Sequence, residues 1–187
     1  MRVAVLASGT GSLLEAILTA GIETELVLVD RPCRALEVAV SHGVNAALVE
    51  RASFGVDFDR RAYTDDVVDR LQGAEIDLVV LAGWGTIFDK PIFDAFEGRM
   101  INTHPALLPS FKGWHAVEAA LDYGVKVTGC TVHVATLEVD SGPILAQGAV
   151  PVLDDDTVES LHERIKVVER DLYIETVEAI IERGRVL

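Results

Sequence analysis

The stretch VAVLASGTGS, residues 3–12, decides the fold. Val3 to Ala7 form a short apolar run that reads as a strand, and Ser8-Gly9-Thr10-Gly11-Ser12 follows it and opens a helix. The same alternation returns along the chain. Leu26 to Val29, Ala46 to Val49 and Leu78 to Ala82 also read as strands, with helical patterns between them. Strands that alternate with helices imply parallel pairing through right-handed crossovers, because each crossover must pack its helix back onto the sheet. The first half is therefore a doubly wound α/β unit.

After residue 100 the pattern changes. Thr128 to Ala135 and Ile144 to Val150 are separated by the short connection LEVDSGP, which suits antiparallel addition, so the sheet is expected to be mostly parallel with antiparallel strands added. From Thr157 to Arg183, apolar residues at 158, 161, 165, 168, 172, 177 and 180 predict one long C-terminal helix. Asp154 to Asp156 supply N-cap material and Gly184 a stop. No repeat, low-complexity tract or linker rich in Pro, Gly or Ser interrupts the 187 residues, which suit a single domain with halves 1–100 and 101–187.

Composition narrows the function classes. Half the chain is apolar, enough for a real core, yet no apolar run reaches the roughly 18 residues of a membrane span. The apolar stretch before the first glycines is also too short for a signal peptide, so the expected location is cytoplasmic. Thirty acidic residues against 16 basic give a formal charge of -14, which repels nucleic acid and anionic membranes. Only four of the basic residues are lysines; a salt-rich habitat and ordinary solubilising charge both fit. An anionic small substrate still suits the chain where basic side chains and backbone N–H groups gather locally. Cys33 and Cys130, in no CxxC arrangement, read as two buried thiols of a reduced compartment.

The glycine loop sits where backbone N–H groups and a helix dipole hold a phosphate. A dinucleotide fingerprint would need a third glycine at the position of Leu14, although Asp30 lies at about the distance of a ribose-binding acid. The absence of Gly-Lys-Ser or Gly-Lys-Thr excludes a P-loop. A single phosphate on Gly11, Ser12 and the Leu13 N–H is the reading preferred here, with a ligand-free tight turn as the alternative.

INTHPALLP, residues 101–109, places Asn102 and His104 two apart on the same side of an extended chain, at a strand end stiffened by two prolines. In an α/β sheet, ligands gather outside the carboxyl ends of the strands. An amide and an imidazole there can both donate to one oxygen. Asp140, in the LEVDSGP turn, is either a turn former or the carboxylate that keeps His104 protonated, if the turn folds back over it. In the second case the trio can stabilise an oxyanion and supply a proton. The trio holds no nucleophile, so direct transfer without an acyl-enzyme is implied. Histidines 42, 104, 115, 133 and 162 form no HExxH, and no metal is expected. His133, mid-strand, reads as a packed residue and His115 as a loop bystander.

SGTGS, NTHPALLP, VTGCTVH, LEVDSGPILAQ and HERIKVVERDLY, in this order over nearly the whole chain, resemble the glycinamide ribonucleotide formyltransferases, folate-dependent enzymes of purine synthesis. The resemblance implies a formyltransferase-type Rossmann-like fold and transfer of a formyl group from 10-formyltetrahydrofolate to the amino group of glycinamide ribonucleotide, with no metal. It implies a nucleotide- and phosphate-binding half and a catalytic and folate-binding half, acting on small molecules as a monomer or homodimer. Asn102 and His104 would bind the formyl oxygen and supply the proton, with Asp140 supporting the charged His104. Gly11, Ser12 and Leu13 would hold the ribonucleotide phosphate, and Lys166 and Glu169, three apart on the last helix, would reach the same substrate. The folate would meet Asn102, Asp140, the backbone of Gly85, Thr86, Ile87 and Phe88, and Arg61 at its glutamate end. LAGWGTIF, residues 81–88, departs from the common LAGFMRIL: Trp84 keeps an aromatic wall, while Gly85 and Thr86 replace a long apolar side chain and a basic one. That departure leaves a changed formyl donor or acceptor, or a non-catalytic nucleotide-binding module, as the alternatives. Related enzymes that formylate methionyl-tRNA or hydrolyse formyltetrahydrofolate carry an additional domain, for which 187 residues leave no room.

Overall fold

The computed structural model describes residues 1–53 and 55–187. Its strands are β1 (Val3–Ala7), β2 (Leu26–Val29), β3 (Ala46–Leu48), β4 (Leu78–Leu81), β5 (Met100–His104), β6 (Val127–Val134) and β7 (Ile144–Pro151). Its helices are α1 (Ser12–Thr19), α2 (Arg34–Ser41), α3 (Arg60–Gly73), α4 (Lys90–Ala95), α5 (Ala116–Tyr123) and α6 (Val158–Arg183). The strand order is β3-β2-β1-β4-β5-β6-β7. Residues 1–101 with 184–187 make one compact unit and residues 102–183 another.

In the first unit, β1 lies between β2 and β4 with Val5 opposite both Val27 and Val80, all parallel. Every residue of β1 and β4 is buried, which is why both read as unbroken apolar runs rather than alternating ones. The chain order reverses at β1. Open α/β sheets bind ligands outside the carboxyl ends of the strands at such a reversal, here those of β1 and β4. Strands β3 and β4 each stop one residue short of the run that predicts them, at Leu48 and Leu81.

In the second unit, β6 and β7 pair antiparallel, from Val127 opposite Pro151 to His133 opposite Ile144. Val117, Cys130, Val150, Leu161 and Ile165 form its core. Leu161 and Ile165 are wholly buried, each contributing about 1.5–3 kcal/mol. Gly148 is required for this packing, because a Cβ there would lie 2.5 Å from Val168 Cγ1 on α6.

Helix α6 starts differently from the expectation. Thr157 and Ser160 cap each other, with the Ser160 N–H donating to Thr157 Oγ1 at 3.2 Å and the Thr157 N–H to Ser160 Oγ at 2.9 Å. Of the acidic triplet, Asp156 accepts from the Leu153 N–H at 2.7 Å, from the Ser160 hydroxyl at 2.8 Å and from Arg164. Val158 is exposed and Tyr173 joins the buried face in its stead. Gly184, with φ of 70°, ends the helix as expected. Cys130 is buried but Cys33 is partly exposed, which corrects the reading of two buried thiols. Among the described residues, no helix is long and apolar enough to cross a membrane.

Candidate active site

Strand β5 extends through His104, so Asn102 and His104 are not beyond the strand but on one face of its last three residues. The His104 ring is buried between two acceptors: Nε2 lies 2.7 Å from the Phe111 carbonyl oxygen and Nδ1 3.3 Å from Asp140 Oδ2. The same Asp140 oxygen accepts the Gly113 N–H at 2.8 Å, while Oδ1 stands 3.6 Å from His133 Nε2. The LEVDSGP turn does fold back over the INTH strand. Asp140 is no ordinary turn former.

Hydrogen-bond accounting fixes the roles. His133 Nδ1 donates to the Val134 carbonyl at 3.0 Å, which leaves Nε2 as an acceptor for Asn102 Nδ2 at 3.3 Å. Burial pushes His133 below the ordinary histidine range, against the opposing pull of the Val134 carbonyl and Asp140, which favours its neutral imidazole. Its lone pair orients the Asn102 amide and leaves that amide's second N–H to donate elsewhere. His104, with an oxygen at each ring nitrogen, carries N–H groups on both in its charged form. Phe111 and Asp140, its two partners, both have φ of 53°, a left-handed conformation that non-glycine residues adopt at a cost.

The loop after β5 is pinned from the neighbouring strands. Thr131 Oγ1 donates to the Ala106 carbonyl at 2.7 Å and accepts the Leu108 N–H at 3.0 Å. Gln147 Nε2 reaches both Thr131 Oγ1 at 3.0 Å and the Leu108 carbonyl at 2.9 Å. The Leu108–Pro109 peptide is cis. Sequence reasoning missed His133, Thr131 and Gln147 as parts of the site. The available signal was the two-residue strand period, which puts 131 and 133 on one face of β6.

Lys166 and Glu169 lie on α6, but they do not pair with each other. Lys166 donates to Glu163 at 2.7 Å, and Glu169 accepts the Thr103 hydroxyl at 3.0 Å. Burial raises Glu169 above the ordinary carboxyl range, and the Thr103, Lys166 and Arg170 contacts pull the other way.

In the first unit, Gly11 caps α1 with φ of 70°, and a Cβ there would meet Ala35 Cα at 2.8 Å. Conformation and space both demand glycine, and the first N–H groups of α1 receive no side-chain cap from it. Ser12 is exposed and Leu13 half-buried. Arg34 steadies the loop by donating to the Thr10 carbonyl at 2.8 Å. The segment after β4 is tied to the same loop, with the Gly85 N–H donating to Ser8 Oγ at 2.6 Å.

Asp30 is not set out for a ribose. It is fully buried, accepting from Thr86 Oγ1 at 2.7 Å and from Arg31 Nε at 2.9 Å. Burial alone would raise its carboxyl, but the hydrogen bonds from Arg31, Thr86 and Ser8 outweigh that and hold it below the usual range. Thr86 therefore turns inward. Trp84 stacks on Phe88 at 5.4 Å and Phe88 on Tyr63 at 6.4 Å, while Ile87 is exposed. Trp84 Nε1 is buried without a partner among the described residues. Arg61, on α3, is exposed and pairs with Asp65 at 3.1 Å. His115 is exposed at the start of α5, 3.1 Å from Glu118. Among the described residues, no group of three or more His, Cys, Asp or Glu is placed to hold a metal.

The profile of the formyl transferase family matches residues 1–177. The chain belongs to the formyl transferase family. Among its relatives within the family, the phosphoribosylglycinamide formyltransferase of Mycobacterium tuberculosis is 47% identical over 98% of this chain and 86% of its own length. The enzyme of the same name from Bacillus subtilis is 35% identical over 92% and 90%. The crystal structure of phosphoribosylglycinamide formyltransferase from Bacillus halodurans superposes with a TM-score of 0.89 at 37% identity, over 100% of this chain and 98% of that one. Glycinamide ribonucleotide transformylase 1 from Symbiobacterium toebii gives 0.86 at 42% identity, over 94% and 84%.

Proposed function

We propose that this formyl transferase moves a formyl group from 10-formyltetrahydrofolate to the amino group of glycinamide ribonucleotide, in the cytoplasm, as a step of purine biosynthesis. The observation that carries the proposal is the Asn102–His133 and His104–Asp140 cluster, a half-buried amide and a buried imidazole on one strand face, each oriented by its own partner. In the proposed reaction the amino nitrogen bonds to the formyl carbon, which becomes tetrahedral, and the bond from that carbon to the donor nitrogen then breaks. Asn102, through its second amide N–H, and His104 donate to the formyl oxygen as it gains charge. His104 exchanges its bond to the Phe111 carbonyl for this one and gives its proton to the departing nitrogen, and the proton that the amino nitrogen gives up returns to the imidazole. Asp140 Oδ2, 3.3 Å from Nδ1, holds the ring in place through both transfers.

Gly11, Ser12 and Leu13 hold the ribonucleotide phosphate through the start of α1, and Lys166 and Glu169 bind the same substrate from α6. The formyl donor lies against the segment of Gly85 to Phe88. The Trp84–Phe88 stack and the unpartnered Trp84 Nε1 suit an aromatic heterocycle that carries hydrogen-bond acceptors. Arg61 meets the donor's glutamate.

The test is absorbance-monitored formyl transfer from 10-formyltetrahydrofolate, with and without glycinamide ribonucleotide. Turnover that requires the ribonucleotide is expected. Folate loss without the ribonucleotide would mean a hydrolase, and ribonucleotide binding without transfer would mean another donor.

A further inference from the structure

Strand β5 has two working faces. Asn102 and His104 point one way, and Thr103 between them points the other, where its hydroxyl donates to Glu169 Oε1 of α6 at 3.0 Å. We propose that Thr103 is a positioning residue: it fixes the Glu169 carboxylate and, through it, the binding of the ribonucleotide. The inference rests on the proposed function, in which Glu169 is a substrate contact, and adds a residue to which nothing else assigns a role.

The physical case starts from the setting of Glu169. A half-buried carboxylate is costly unless something donates to it. The charged and titratable groups that face it are Lys166 and Arg170 on its own helix and the Cys130 thiol of β6, itself pushed up to about 11, first by burial and second by the Glu169 charge. Lys166 already donates to Glu163 at 2.7 Å. The Thr103 hydroxyl is therefore a neutral donor on the strand side of the carboxylate, held at a fixed place in the sheet rather than on a flexible side chain. It favours the ionised form and holds one oxygen, leaving the other to the ligand. A β-branched residue suits the task, because its χ1 is stiff on a strand.

Thr103→Val keeps the shape and removes the donor. At pH 7.5, KM for glycinamide ribonucleotide should rise about tenfold with kcat and the folate KM unchanged. On the acid side, the fall in kcat/KM for the ribonucleotide should move to higher pH by about one pH unit, because the carboxylate, short of one donor, takes up its proton earlier. Thr103→Ser should restore both. The Glu169 carboxyl resonance, followed by NMR across the same pH range in wild type and variants, gives a reading that does not depend on turnover. An unchanged titration in Thr103→Val would overturn the inference whatever the activity, as would a loss of kcat alone or a failure of Thr103→Ser to rescue. If wild type formylates nothing, the proposed function fails while the titration still decides the pairing.

Discussion

Thr131→Val is the most direct test of how the site is held. The change is nearly isosteric, so it removes hydrogen bonds without opening a cavity. Thr131 is wholly buried, and its hydroxyl serves the Ala106 carbonyl, the Leu108 N–H and the Gln147 amide. Gln147 keeps the Leu108 carbonyl as acceptor, so two backbone groups, the Ala106 carbonyl and the Leu108 N–H, lose this partner. At about 1–3 kcal/mol for each buried group left unmatched, and allowing for partial relaxation, the loss should be about 2–4 kcal/mol. In a chain of this size that lowers Tm by roughly 4–16 °C. Both groups lie two to four residues beyond His104, so the imidazole should lose its fixed position, and misplacement on the order of 1 Å can cost about 100-fold in rate. Thermal unfolding and steady-state formyl transfer, with Thr131→Ser as the variant that keeps the hydroxyl, measure both effects. Unfolding within about 0.5 kcal/mol of wild type together with an unchanged kcat would refute the reasoning.

Three further outcomes are expected. His104→Ala should lower kcat by about 100- to 10,000-fold while circular dichroism stays native; wild-type turnover would remove His104 from the chemistry. Asp140→Asn keeps the volume but removes the charge between two imidazoles, and kcat should fall about 100-fold or more, beyond any rise in the folate KM; a KM effect alone would remove Asp140 from the chemistry. Thr86→Val deletes a donor to the buried Asp30 carboxylate and should destabilise the fold by about 1.5–3 kcal/mol at pH 7 in a denaturant titration. Because the folded Asp30 carboxyl lies below its unfolded value, its contribution is present above about pH 4 and is lost as pH falls through the folded value. The gap between wild type and Thr86→Val should therefore narrow in acid, and a gap that widened would contradict the assignment.

The strands were legible because burial on both faces leaves an unbroken apolar run, and Val3 to Ala7 and Leu26 to Val29 are observed to the residue. Asn102, His104 and Asp140 were legible as a set because an amide and an imidazole at a strand end have few structural uses. His133 was not, since a histidine within TVHVA looks like packing until the facing strand supplies Asn102. The inward turn of Thr86 was hidden for the same reason: its partner, Asp30, is 56 residues away. Thr157 was passed over as a cap because three aspartates precede it, and only the reciprocal bonds with Ser160 distinguish them.

Gly85 has a consequence for how this sequence can change. A Cβ at that position would lie 3.2 Å from Arg31 Nη2, and that guanidinium is fastened to buried Asp30 through two nitrogens. The flexible end of an arginine can usually step aside by the few tenths of an ångström needed; this one does so against its two bonds to a buried carboxylate. Positions 31, 85 and 86 are therefore coupled through Asp30. A long side chain at 85, of the kind common in LAGFMRIL, would crowd the Arg31 guanidinium, and a shorter residue at 31 should ease it. Chimaeras that swap residues 84–88 alone should therefore be less stable than ones that swap position 31 with them.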